Sequence, residues 1–128
     1  MRRVLVDTNI YVAFKRGNNS VAKAFKNVDF IGIDITVLAE LYAGFAGGNR
    51  NSRNREELES FLRSPRVIIC NHDTSTAEFY ANIIFSLRRK GRPIPTNDVW
   101  IAATAMKMGL ALYTFDTHFA EIGGLLLR

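Results

Sequence analysis

Four short runs rich in Val, Ile and Leu punctuate this chain, and the stretches between them carry apolar residues at helical spacing. The runs are Arg3 to Val6, Phe30 to Ile33, Val67 to Cys70 and Ala111 to Thr114. A strand with one face in water alternates apolar and polar residues, and none of these runs does so cleanly. The pattern therefore predicts strands covered on both faces, in a mainly parallel sheet with helices packed on either side. Leu125 to Leu127 reads as an additional edge strand. No internal repeat interrupts the pattern, and no Ser-, Pro- or Gly-rich stretch is long enough to be a linker, so residues 1–128 read as one domain.

Four helices follow from spacing and end signals. Thr36 suits an N-cap, Leu38, Leu41, Tyr42 and Phe45 recur at i, i+3, i+4, i+7 as a core stripe, and Gly47-Gly48 ends the helix. Asn54 with Glu57 reads as a capping box ahead of Leu58, Phe61 and Leu62, and Ser64-Pro65 stops that helix. A third opens near Ser75 with Glu78 three residues on, carries Tyr80, Ile83, Ile84 and Leu87, and closes at Gly91. The fourth starts near Thr96 and is apolar nearly all round from Val99 to Met108, which predicts the most buried helix.

Composition excludes several classes. With 48% hydrophobic and 23% charged residues the chain can build a core, and disorder is excluded. One cysteine, Cys70, forms no internal disulfide, and with two histidines it falls short of a structural zinc site. This fits a reducing, cytoplasmic setting. The apolar run before Asp7 is too short for a signal-peptide core or a membrane span. A net charge of +5 favours a polyanionic partner, though only weakly.

The acidic residues are more informative. Asp7 and Asp116 each follow a strand-like run, and ligands of open α/β sheets bind just outside the carboxyl ends of strands. Taken alone, each is equally well a turn residue or a helix cap. Glu40 lies nearly opposite the apolar stripe of its helix, yet its surroundings are Ala39, Ala43, Gly44 and Gly47, with no other charge between Thr36 and Gly48. A lone carboxylate on such a face implies close packing, and desolvating it unpaired would be costly. Asp98, in the first turn of the most apolar helix, is favoured there by the helix dipole; it also heads the inward-facing stripe Ile101, Ala102, Ala105. Four converging carboxylates repel one another unless a cation neutralises them. Oxygen donors without Cys or His suit Mg²⁺ or Mn²⁺, and the chemistry such a set implies is phosphodiester hydrolysis.

Four blocks carry a resemblance to a known family: Val6-Asp7-Thr8-Asn9-Ile10; Thr36 to Gly44; Asn97-Asp98-Val99-Trp100-Ile101-Ala102-Ala103-Thr104-Ala105; and Leu112-Tyr113-Thr114-Phe115-Asp116-Thr117-His118-Phe119. In this order and at these intervals they resemble the PIN-domain family, specifically its stand-alone VapC-type toxin ribonucleases, nearly from end to end. The resemblance implies a three-layer α/β/α domain with a mostly parallel central sheet, Mg²⁺-dependent endoribonuclease activity and a homodimer. It maps the family's acidic positions onto Asp7, Glu40, Asp98 and Asp116, with Asp7 and Asp98 as the positions most often assigned to magnesium and the other two completing the cluster. Asn9 and Thr114 match supporting polar positions that orient carboxylates. It further implies a VapB-type antitoxin whose tail blocks the acidic site, often with a basic side chain.

Weaker features remain. Arg50, Arg53, Arg55 and the run Arg88-Arg89-Lys90-Gly91-Arg92 are candidates for RNA phosphate contacts, although the second run is better read as a helix C-terminus than as an RNA contact. His72 and His118 read as capping or packing residues, Trp100, Met106 and Met108 as core or dimer interface. Two other functions compete. An aspartate-phosphorylating phosphatase wants an acid where Asn9 stands, and a receiver domain fits Asn71-His72-Asp73 poorly. A degenerate domain that binds RNA or a partner without cutting should lack acids, and all four are present.

Overall fold

A computed structural model describes residues 2–128. Strands β1 (Arg3–Val6), β2 (Phe30–Asp34), β3 (Val67–Cys70) and β4 (Ala111–Tyr113) form one parallel sheet in the order β3-β2-β1-β4. Helices α1 (Thr8–Lys15), α2 (Asn19–Lys26), α3 (Ile35–Ala46), α4 (Asn51–Leu62), α5 (Thr74–Lys90) and α6 (Thr96–Met108) cover its two faces, and a 3₁₀ turn spans Thr117–Glu121. The fold is the expected three-layer α/β/α arrangement. The chain builds outward from β1 through β2 to β3, then returns to place β4 on the other side of β1. The crevice at this reversal, between β1 and β4, is where open sheets place their ligands.

The central strands are buried as their composition requires: Val4, Leu5, Val6, Ile31, Ile33 and Leu112 are almost wholly enclosed. Gly32 lies where layers approach most closely, since a Cβ there would stand 2.9 Å from Leu5 Cδ1 and 3.2 Å from Cys70 Sγ. β3 departs from expectation. It is an edge strand, and Ile68 and Ile69 are 44% and 42% exposed, because no strand covers its outer side. Leu125 to Leu127 makes only an isolated bridge, Leu127 to Leu112, although Leu112 N–H donates to Leu126 O at 2.8 Å.

Helix α6 is the most buried helix, as its all-round apolarity demands. Gly91 ends α5 in the left-handed region at φ 66°. Three starts differ from the sequence reading. Asp34 caps α3, its carboxylate accepting from Thr36 N–H; Asp73 caps α5 in a reciprocal box with Thr76; and α4 begins at Asn51 without a side-chain cap. In the first two an Asp just upstream supplies a carboxylate acceptor, stronger than the hydroxyl expected there. Glu57 serves no cap and pairs with Lys15 at 3.0 Å and Arg53 at 3.2 Å. Helix α2, eight residues long, was not foreseen, and α1, of the same length, was foreseen only as the helix that Asp7 would cap. Their inner faces join α4 through the packed rings of Tyr11, Phe14, Phe25 and Phe61. In the stripe of α3, Leu38 and Leu41 are buried while Tyr42 and Phe45 are half-buried.

Candidate active site

Asp7 ends β1 and caps α1, so both readings of it hold at once. Its carboxylate accepts from Thr8 N–H at 2.8 Å and from the Thr114 hydroxyl at 2.7 Å, and its own N–H donates to Tyr113 O at 3.0 Å. The Thr114 hydroxyl also accepts from Asp116 N–H at 3.0 Å. One threonine thus ties together the two acids that follow adjacent strands. Asn9 steadies the same loop, its Oδ1 accepting from Phe115 N–H at 3.3 Å.

Glu40 reaches the crevice from α3. Its two oxygens accept from the Thr8 hydroxyl and from Asn97 Nδ2, each at 2.6 Å. The close packing inferred from its small neighbours is real at the carboxylate, but Ala39, Ala43 and Gly44 themselves are exposed. Asp98 enters from the first turn of α6, and His118 Nε2 donates to its Oδ2 at 2.9 Å. Asp116 starts the 3₁₀ turn, is exposed, and makes no side-chain cap.

Charge converges here. Burial pushes the Asp7 carboxyl above the usual carboxylate range; the hydrogen bonds from Thr114 and Thr8 oppose this, and the charges of Asp98 and Asp116 add to it. Asp98 is raised by burial too, lowered by His118, and raised by Glu40 and Asp116. The four acids therefore sense one another across a common space. They do not form a closed cage: among the described residues, no three of His, Cys, Asp or Glu stand close enough together to hold one ion. Each Glu40 oxygen accepts one hydrogen bond, as each Asp7 oxygen does, and each keeps a further lone pair that a cation can take. An oxygen-only set with two desolvated, mutually repelling carboxylates still fits Mg²⁺, which binds through one or two carboxylates and retains its waters.

Sequence reasoning missed Thr8, Asn97 and His118, all within the quoted blocks. Their neighbours Asp7, Asp98 and Asp116 were the only signal. His118 is thus a partner of Asp98 and not merely a packing residue, while His72 lies 3.0 Å from Asp34 and stacks on Trp100. Trp100 is sandwiched with His72 and Tyr80. Of the basic residues, Arg53 pairs with Glu57, Arg55 lies over the Tyr42 ring, and Lys90 and Arg92 engage Glu121. Cys70 is a buried free thiol, pushed up to about 11 chiefly by that burial.

A four-stranded parallel domain with acids gathered at its switch point defines the class: an α/β domain built around a carboxylate crevice. The sequence pattern of the PIN domain family matches residues 4–125, and the chain belongs to that family. It is 31% identical over 128 residues to the tRNA(fMet)-specific endonuclease VapC of Shigella flexneri, covering 98% of this chain and 96% of that protein. It is 27% identical over 122 residues to ribonuclease VapC4 of Mycobacterium tuberculosis, covering 95% and 92%. The fold superposes with a TM-score of 0.88 and 29% identity on a chain of VapBC2 from Rickettsia felis, solved bound to a DNA fragment from its promoter, covering 98% and 97% of the two chains. Among the described residues no helix is long and apolar enough to cross a membrane.

Proposed function

We propose that this chain is a Mg²⁺-dependent endoribonuclease, able to use Mn²⁺, and the toxin of a toxin–antitoxin pair acting in the cytoplasm as a homodimer. The observation that carries the reading is the gathering of Asp7, Glu40, Asp98 and Asp116 at the β1/β4 reversal, with Asp7 and Asp98 raised first by burial and then by neighbouring acids, Asp98 and Asp116 for Asp7, Glu40 and Asp116 for Asp98. Asp7 and Asp98 are the residues that would hold the ion. When bound, the ion supplies Lewis-acid chemistry, making a water nucleophilic and offsetting charge on the phosphate.

The chain's own groups do the rest. Thr114 and Thr8 orient Asp7, and His118 orients Asp98, as outer partners of metal-holding carboxylates do. Thr8 and Asn97 hold Glu40 in place so that its charge stays in the site. Asp116, exposed at the mouth, is the acid open to incoming water and a proton. Next to Thr8 and Glu40, a cleft of about 730 Å³ between α1, α3 and α4 is walled by Lys15, Arg16, Arg50, Arg53 and Glu57; Glu57 pairs with Lys15 and Arg53, which leaves Arg16 and Arg50 to meet a phosphodiester strand. The VapBC complexes that this fold resembles support a VapB-type antitoxin, and an arginine from it would pair well with the clustered acids.

The test is cleavage of mixed cellular RNA by purified, antitoxin-free protein with Mg²⁺, beside an EDTA control and Asp98→Asn. Discrete fragments that vanish in both controls are expected. A folded protein that cuts nothing with either Mg²⁺ or Mn²⁺ would overturn the reading in favour of RNA or partner binding without cleavage.

A further inference from the structure

Phe115 has no place in the acidic site or the core, and the residue is 52% exposed. Single exposed aromatics are ordinary on protein surfaces, but the backbone of this one is not that of an ordinary loop. Its own N–H is held by Asn9 Oδ1, the residue before it bonds to Asp7, and the N–H of the residue after it is held by Thr114. The ring is therefore carried on a backbone whose N–H groups at Phe115 and Asp116 are both held by side chains of the acidic site, with Thr114 tied to Asp7 through its hydroxyl, and the residue is largely exposed. Beside it runs a shallow groove lined by Asn9, Val12, Ala13, Arg16 and Asn18. Arg16 lines both this groove and the larger cleft beside Glu40, so the two depressions meet at its side chain. Whereas Lys15 is paired with Glu57, Arg16 takes part in no ion pair among the described residues.

We propose that Phe115 and Arg16 form a nucleotide subsite flanking the cut bond: an unpaired RNA base stacks on the Phe115 ring and an adjoining phosphate binds Arg16. The inference rests on the ribonuclease reading and adds to it where the strand is gripped. Single-stranded RNA offers splayed bases that stack on aromatic faces, and an aromatic side chain on a tethered backbone has only two side-chain torsions to fix on binding. Arg16, which lines the same groove as Phe115 and makes no ion pair among the described residues, supplies the charge that a phosphate needs. A subsite of this kind selects unpaired over duplex RNA without reading a particular base.

The experiment is fluorescence anisotropy with a short labelled single-stranded RNA in EDTA, where no cutting occurs, followed by cleavage kinetics with Mg²⁺. Thermal melting serves as the fold control. Phe115→Ala and Phe115→Leu are expected to weaken binding about tenfold and to raise KM with little change in kcat, while Phe115→Trp stays near wild type. Arg16→Ala is expected to weaken binding and to reduce the slope of log affinity against log salt by about one. If the wild type binds and cuts RNA and Phe115→Ala does so equally well, the subsite is overturned and the ribonuclease reading stands. Equal loss in Phe115→Trp also overturns it, because a flat ring would then not be what matters. A wild type that neither binds nor cuts RNA overturns both readings.

Discussion

Asp7 and Asp34 occupy equivalent places in this fold, and their surroundings differ in one respect that matters. Each lies at the carboxyl end of a central strand, each caps the helix that follows, and each is buried, at 3% and 0% exposure. Asp34 accepts from Thr36 N–H at 2.9 Å, from the Thr104 hydroxyl at 2.5 Å and from His72 Nε2 at 3.0 Å, so donors on three sides meet its charge. Asp7 accepts from two donors and then faces Asp98 and Asp116, which carry its own sign of charge. A buried carboxylate is thus not itself a mark of chemistry. Uncompensated like charge is that mark, because folding has left a deficit that a cation can fill.

The largest expected effect separates the two acids by function. Asp7→Asn should lower RNA cleavage on the order of a hundredfold or more, as loss of a key electrostatic group does, while Asp34→Asn should leave cleavage near wild type at temperatures where it is folded. Fragment yield on gels checks this, and equal losses would erase the distinction. Stability should move the opposite way. Asp34→Asn sets an amide among donors and should cost roughly 2 kcal/mol in urea unfolding, whereas Asp7→Asn keeps the cap, relieves repulsion and should gain about 1 kcal/mol. A comparable loss in both would mean that Asp7 is a structural acid.

Mg²⁺ should sharpen the contrast. It should raise the melting temperature of wild type and of Asp34→Asn but not of Asp7→Asn, since a ligand stabilises only the state that binds it. His118→Ala, which frees Asp98 to turn, should weaken Mn²⁺ binding about tenfold or more by titration. The smallest effect concerns an acid that is fully compensated in the open. The Lys107 side chain, 2.7 Å away, is the main cause holding the exposed Asp73 carboxyl down at about 2, with help from Thr76. A folded-state value below the ordinary 3.8 means that its contribution is present above that value and lost as pH falls toward about 2. Asp73→Asn should therefore lower stability slightly at neutral pH, with the difference from wild type shrinking as pH falls through that window and gone below about 2, as read by urea unfolding at a series of pH values.

The sequence alone determined the strands, the stop signals and the acids at strand and helix ends, because these depend on local period, caps and glycine. β1 and β3 fall where their runs begin and end, Gly91 closes α5, and Asp7 and Asp98 stand at the predicted ends. Helix α2 was not legible, and α1 only through the cap reading of Asp7, because each is only eight residues long and the aromatic packing with α4 that supports them involves residues distant in sequence. Tertiary structure decided which strand forms the edge, so that the apolar run of β3 exposes Ile68 and Ile69. It also decided which acids are compensated. Asp34, passed over although it directly follows the run Phe30 to Ile33, collects Thr104 from 70 residues away and His72 from 38. Glu40 finds Asn97 across 57 residues, and Asp7 meets Thr114 across 107. A carboxylate's charge is written in the chain, but the donors or like charges around it are set by strand order and helix packing, which bring distant residues within hydrogen-bonding reach.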